Sequence, residues 1–113
     1  MIDLTHLRTL SKGNSSFIQE ILEVYLTSAP TDLQLLEQMY SDGNLEKVRY
    51  LAHKMKSSAF AIGFAEGYTL FQSIEGCVKN QENLESIGPM LGKAKIICEE
   101  SFVCVKQELA RML

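Results

Sequence analysis

Residues 44–63 read NLEKVRYLAHKMKSSAFAIG, and the spacing of their apolar members decides the fold. Leu45, Val48, Ala52, Met55, Ala59 and Ile62 recur every three or four positions. That recurrence places them in one stripe of an α-helix. Asn44 is suited to cap the helix, and Glu46 complements the positive end of its dipole. His53 stands one position off the stripe, near the middle. Its nearest neighbours on a helix surface, at i−4, i+3 and i+4, are Arg49, Lys56 and Ser57. The stretch predicts a helix with an imidazole at the edge of its buried face, flanked by two cations and a small residue. On pattern alone, a lone helix histidine is more often a plain surface residue than a reactive one.

Downstream, Gly63 reverses the chain. Phe71, Ile74 and Val78 predict a helix over about 66–80. His53 lies ten residues before Gly63 and Glu75 twelve after it. Antiparallel helices of equal rise bring such positions to similar height. Glu75 is therefore the candidate to orient an imidazole N–H, with a surface carboxylate as the competing reading. The polar run Asn80–Asn83 is a loop, and Gly88-Pro89 opens a last helix to residue 113. Leu91, Ala94, Ile97 or Cys98, Phe102, Val105, Leu109 and Met112 give that helix its stripe.

Upstream, Asp42-Gly43 is a turn. Leu33, Leu36 and Tyr40, helped by Leu35 and Met39, predict a helix over 30–42. Pro30 is expected to end an earlier helix over 15–28 and to preset the first turn of the next. In that earlier helix Phe17, Ile21, Val24 and Tyr25 mark the apolar face, widened by Ile18, Leu22 and Leu26. Ser16 with Gln19 resembles a capping box. A short start over 3–11, capped by Asp3 or Thr5, has an edge of Leu4, Leu7 and Leu10. No stretch alternates with period two for long enough to argue a strand. Helices joined by a few residues pack antiparallel. The expected fold is all-α: an antiparallel four-helix bundle, up-down-up-down, of residues 30–42, 44–63, 66–80 and 89–113. Additional N-terminal helices cover one end or side, and residues 1–113 form a single domain.

Composition sets the bounds. The 113 residues are 46% apolar and 22% charged, with net charge −3 and no Trp, as in an ordinary globular domain. No Lys/Arg block stands out, so nucleic acid is not an expected partner. No secretory signal is visible, and no window approaches the roughly 18 apolar residues of a membrane span. Cys77, Cys98 and Cys104 form an odd set without C-x-x-C spacing, against metal and redox motifs. Free thiols suit a reducing compartment, and a cytoplasmic location is expected.

The order of residues adds more. AHKMKSSAFAIGF, residues 52–64, resembles the signature of histidine-containing phosphotransfer (HPt) domains through Ala52, His53, Met55, Lys56, the small pair Ser57-Ser58, Ile62 and Gly63. FIQEILEVYLTSAP at 17–30 is similar to the family's preceding helix, and LFQSIEG at 70–76 to its next one. The resemblance implies a phosphorelay intermediate. His53 would accept a phosphoryl group from a receiver-domain aspartyl phosphate and pass it to another receiver. Lys56, at the motif lysine, would stabilise the phosphoryl group, with Arg49, Ser57 and Glu75 in support. The implied partners are response-regulator receiver domains and a hybrid sensor kinase. Mg²⁺ would belong to the receiver, with no cofactor on this chain, which is expected to be a monomer. The family usually has Gly where this chain has Ser57, which narrows the approach of a partner to the imidazole.

Elementary chemistry is compatible with that implication. Phosphoryl transfer needs positioning and charge neutralisation more than covalent work by the protein. A neutral imidazole nitrogen is a nucleophile, and nearby cations attract the phosphoryl dianion as it forms. Enzyme readings fare worse. No Ser-His-Asp or Cys-His pairing and no Gly-rich phosphate loop is legible, so autonomous kinase activity is not expected. The dimerisation helix of sensor kinases has an acidic residue after its histidine, where Lys54 stands here. A di-metal bundle needs Glu-x-x-His motifs, and neither His6 nor His53 has a Glu three residues before it. The alternative is a helical interaction module that docks receivers or partner helices without phosphotransfer. The His53–Lys56 pair argues against it.

Overall fold

The computed structural model describes residues 1–112; the last residue of the expected final helix, 113, lies outside them. The described residues are helices and short connections: α1 (Thr5–Leu10), α2 (Ser15–Ser41), α3 (Leu45–Ala61), α4 (Ala65–Asn80) and α5 (Ile87–Met112), with one 3₁₀ turn at Leu84–Ser86. The chain is all-α. α2 to α5 form an antiparallel up-down-up-down bundle in which α2 packs on α3 and α5, and α4 on α3 and α5. At 1.5 Å per residue the 27 residues of α2 span about 40 Å, which matches the 42 Å long axis.

The largest difference from expectation is at Pro30. It does not end a helix; it sits inside the continuous α2. A proline in a helix interior costs about 3 kcal/mol, because it lacks the N–H and crowds the carbonyl at i−4. The stripe Ile18, Leu22, Tyr25, Ala29, Leu33 and Leu36 runs through the proline at spacings of three and four, and every member is buried. Five of these are large side chains, each worth roughly 1.5–3 kcal/mol on burial. One continuous helix keeps both halves of the stripe on the core, and that sum exceeds the local cost. The face is also rotated from the expected one: Phe17 and Val24 are exposed, as are Leu35 on the same helix and Leu10 of α1. The cap differs too. Asn14, rather than Ser16, accepts from the first turn, at the Phe17 N–H.

α3 follows the pattern closely. Asn44 Oδ1 accepts from the Lys47 N–H at 3.2 Å. Val48, Ala52, Met55, Ala59 and Ile62 are each at most 1% exposed. The helix closes with a Schellman motif, in which the Phe64 N–H donates to Ala59 O and the Gly63 N–H to Phe60 O. Gly63 has φ +67°, a left-handed value that favours glycine. A second constraint acts there. The Asp3 N–H donates to Gly63 O at 3.0 Å, and a Cβ on Gly63 would lie 1.7 Å from Asp3 O. The N-terminal segment thus crosses directly over the α3–α4 turn.

One polar contact lies deep in the bundle. The Tyr25 hydroxyl and Ser101 Oγ are 2.6 Å apart, and Ser101 Oγ donates to Cys98 O. A serine has one proton to give, so Tyr25 is the donor in that pair. Burial pushes the Tyr25 hydroxyl well above its ordinary pKa and the Cys98 thiol up to about 12, so both stay neutral.

Candidate functional site

His53 is the ninth of the 17 residues of α3, on the side away from the core stripe. Its side chain is 61% exposed and open to solvent. α4 returns antiparallel beside α3 and carries Glu75 to the same height. His53 Nδ1 and Glu75 Oε2 are 2.8 Å apart, and Lys56 Nζ donates to Glu75 Oε1 at 2.7 Å. One carboxylate therefore bridges the imidazole and the lysine. The Glu75 side chain is only 16% exposed, and Lys56 only 20%.

The protonation pattern follows. Burial alone would raise the Glu75 pKa, but the hydrogen bonds from Lys56 and His53 outweigh it, and the net direction is down. The carboxylate is ionised and can only accept, so the proton between the pair belongs to His53 Nδ1. In the neutral imidazole the lone pair is then on Nε2. Nε2 has no hydrogen-bond partner among the described residues. The arrangement presents one nucleophilic nitrogen outward, with the other locked.

Of the residues singled out from sequence, the structure brings together His53, Lys56 and Glu75. Arg49 is exposed, one turn away, and makes no ion pair among the described residues. Ser57 is exposed one turn beyond His53, with no side-chain hydrogen bond among them. Lys56 is not free beside the imidazole, as its spacing suggests. It is held by Glu75, and a phosphoryl group at Nε2 would compete for it.

A second ion pair lies nearby and was not read from sequence. Lys54 Nζ donates to Asp32 Oδ1 of α2 at 3.1 Å, and Asp32 Oδ2 is buried without a hydrogen-bond partner among the described residues. His53 thus stands between two neighbours tied in opposite directions, Lys54 to α2 and Lys56 to α4. Register counting could have found this pair. Asp32 is eleven residues before Gly43 and Lys54 eleven after it, the same argument that picked out Glu75. His6 is in a different setting, its ring edge-on to Phe60 at 5.3 Å. The Phe60 ring also meets Tyr68, tilted at 51° with centroids 5.9 Å apart. Among the described residues no group of three or more His, Cys, Asp or Glu is placed to hold a metal ion. Nor is any helix long and apolar enough to cross a membrane.

A family model described as Hpt domain matches residues 20–113, a span that contains His53, Lys56 and Glu75. Among solved structures, the chain is similar to the HPT domain from an Hpt sensor hybrid histidine kinase of Shewanella. That likeness has a TM-score of 0.85 at 20% identity and covers 97% of this chain and 94% of the other. At that identity it is a likeness of fold. No curated protein matches the chain.

Proposed function

Because the chain belongs to the Hpt domain family, we propose that it is a phosphocarrier in which His53 Nε2 accepts and returns the phosphoryl group. The observation that carries the proposal is the 2.8 Å contact of Nδ1 with Glu75, which leaves Nε2 as the nucleophile. The donor in this reading is an aspartyl phosphate of a receiver domain. Nε2 attacks phosphorus in line, the P–O bond to the aspartyl carboxylate breaks, and the carboxylate leaves. Lys56 then turns from Glu75 toward the phosphoryl oxygens, a charge-assisted contact that strengthens as the dianion arrives. Arg49 adds a second, more screened positive charge one turn away. Transfer to another receiver reverses these steps. Mg²⁺ is supplied by the receiver, and this chain needs no nucleotide or cofactor of its own.

Residues 1–113 act as one domain in this proposal, a monomer that meets a receiver across the exposed His53 face. Ser57 stands on that face, where a smaller residue would allow closer approach. The test is the position of the phosphorus. Nitrogen NMR of the phosphorylated imidazole is expected to show phosphorus coupling at Nε2, with Nδ1 protonated. Coupling at Nδ1, or label on a serine, would contradict the proposal.

A further inference from the structure

The bridging carboxylate remains in place once the nucleophile is occupied, and this bears on the second half of the transfer. We infer that Glu75 holds the proton on His53 Nδ1 after Nε2 has taken the phosphoryl group, so that the imidazole leaves as a neutral molecule in the next transfer. The inference rests on His53 being the acceptor. On acceptance, the Nε2 lone pair forms the N–P bond and the Nδ1 proton stays, so the ring carries a positive charge. The phosphoryl dianion and Glu75 both face that charge. On donation, the N–P electron pair returns to Nε2, phosphorus passes to a receiver carboxylate oxygen or to water, and the ring becomes neutral imidazole again. If Nδ1 had lost its proton, the same bond cleavage would release imidazolate, a far stronger base and a poorer leaving group.

The other charges near His53 do not cancel this effect. On its own helix, Lys56 opposes the ring cation, but once turned to the phosphoryl oxygens it is offset by the charge of the dianion, and Glu75, its partner at 2.7 Å in the unphosphorylated chain, is left to face the ring. Arg49 is exposed and screened by salt. From α2, Asp32 is committed to Lys54, on the other side of the histidine. From α4, Lys79 lies one turn beyond Glu75 and is exposed. Glu75 is the one charged group in direct contact with Nδ1 among the described residues.

The test phosphorylates the whole chain with phosphoramidate, so that no receiver is needed, and follows loss of label into water across pH. The rate is expected to hold level while Nδ1 is protonated, then to fall as that proton is lost. An opposite charge in contact shifts such a midpoint by about one pH unit or more. In Glu75→Gln, which keeps the shape without the charge, the fall should begin about one pH unit lower. Nitrogen NMR titration of the phosphorylated ring should give the same two midpoints. Wild-type protein phosphorylated and then unfolded in urea supplies a reference without any substitution, and its midpoint should also lie lower than that of the folded chain. Coincident profiles and midpoints would overturn the role of Glu75 while leaving His53 as acceptor. Absence of label on His53 in folded wild type would overturn both.

Discussion

Replacing Pro30 by alanine should make this protein more stable, by an amount that follows from its position in α2. Pro30 is the sixteenth of 27 helical residues and is half-buried. It leaves the carbonyl of Leu26 without the amide that would normally bond it. Alanine restores that donor and relieves the ring's contact with the preceding turn, a gain of about 3 kcal/mol. Two effects reduce the gain. The unfolded chain regains the freedom that proline denied it, which costs about 0.4–1 kcal/mol. The half-buried ring also loses packing worth about 1 kcal/mol. The net expectation is about 1–2 kcal/mol of added stability. For a domain of this size that corresponds to a rise in Tm of roughly 4–16 °C. Urea unfolding followed by helical circular dichroism measures it, with the dependence on denaturant unchanged. A loss of stability at unchanged m would show that residues 26–30 are not strained, and would refute the argument that packing overrides the proline.

Gly63→Ala should destabilise by more than about 2 kcal/mol, since it forces a left-handed φ on a Cβ and drives Asp3 off the turn; a loss near zero in urea unfolding would mean the crossing is not maintained in solution. The pH dependence has a defined sign. The Glu75 carboxyl lies below its ordinary value in the folded state, so its contribution is present above about pH 4.5 and is lost as pH falls through the folded value. The stability difference between wild type and Glu75→Gln should therefore shrink on acidification through that window, and a constant difference would contradict the ion-pair account. Lys56→Ala should slow phosphoryl acceptance roughly 10- to 100-fold, the worth of one charged hydrogen bond, at unchanged helicity; unaltered kinetics would return Lys56 to a purely structural partner of Glu75.

The sequence was most legible where packing and local pattern agree. α3, α4 and α5 begin and end within about three residues of the positions their stripes and caps predict. It misled at α2, where two local rules pointed away from the tertiary outcome. Proline is a good helix breaker, and Phe17 and Val24 look like core residues, yet the buried face is set by what α3 and α5 offer across the bundle. In the site, His53 and Lys56 share one helix and Glu75 is counted across one tight turn, so all three could be read. Asp32 and Lys54 also stand on two of the expected helices, 30–42 and 44–63, eleven residues either side of Gly43, so the same count across a tight turn reaches that pair. Tyr25 and Ser101 are 76 residues apart with three connections between them, so no register argument reaches that contact. The capture of Lys56 by Glu75 was also beyond the helical spacing, which gives neighbours but not the direction in which a flexible lysine turns.

The central claim is that His53 alone carries the phosphoryl group and that the chain transfers it without making it. The direct measurement mixes the protein with a phosphorylated receiver domain and Mg²⁺, in wild-type, His53→Gln and His6→Gln forms, with ATP and Mg²⁺ alone as the control. The account predicts acid-labile, base-stable label on wild type and His6→Gln, none on His53→Gln, and none anywhere from ATP. Acid-labile label persisting on His53→Gln, or appearing from ATP without a receiver, would contradict it.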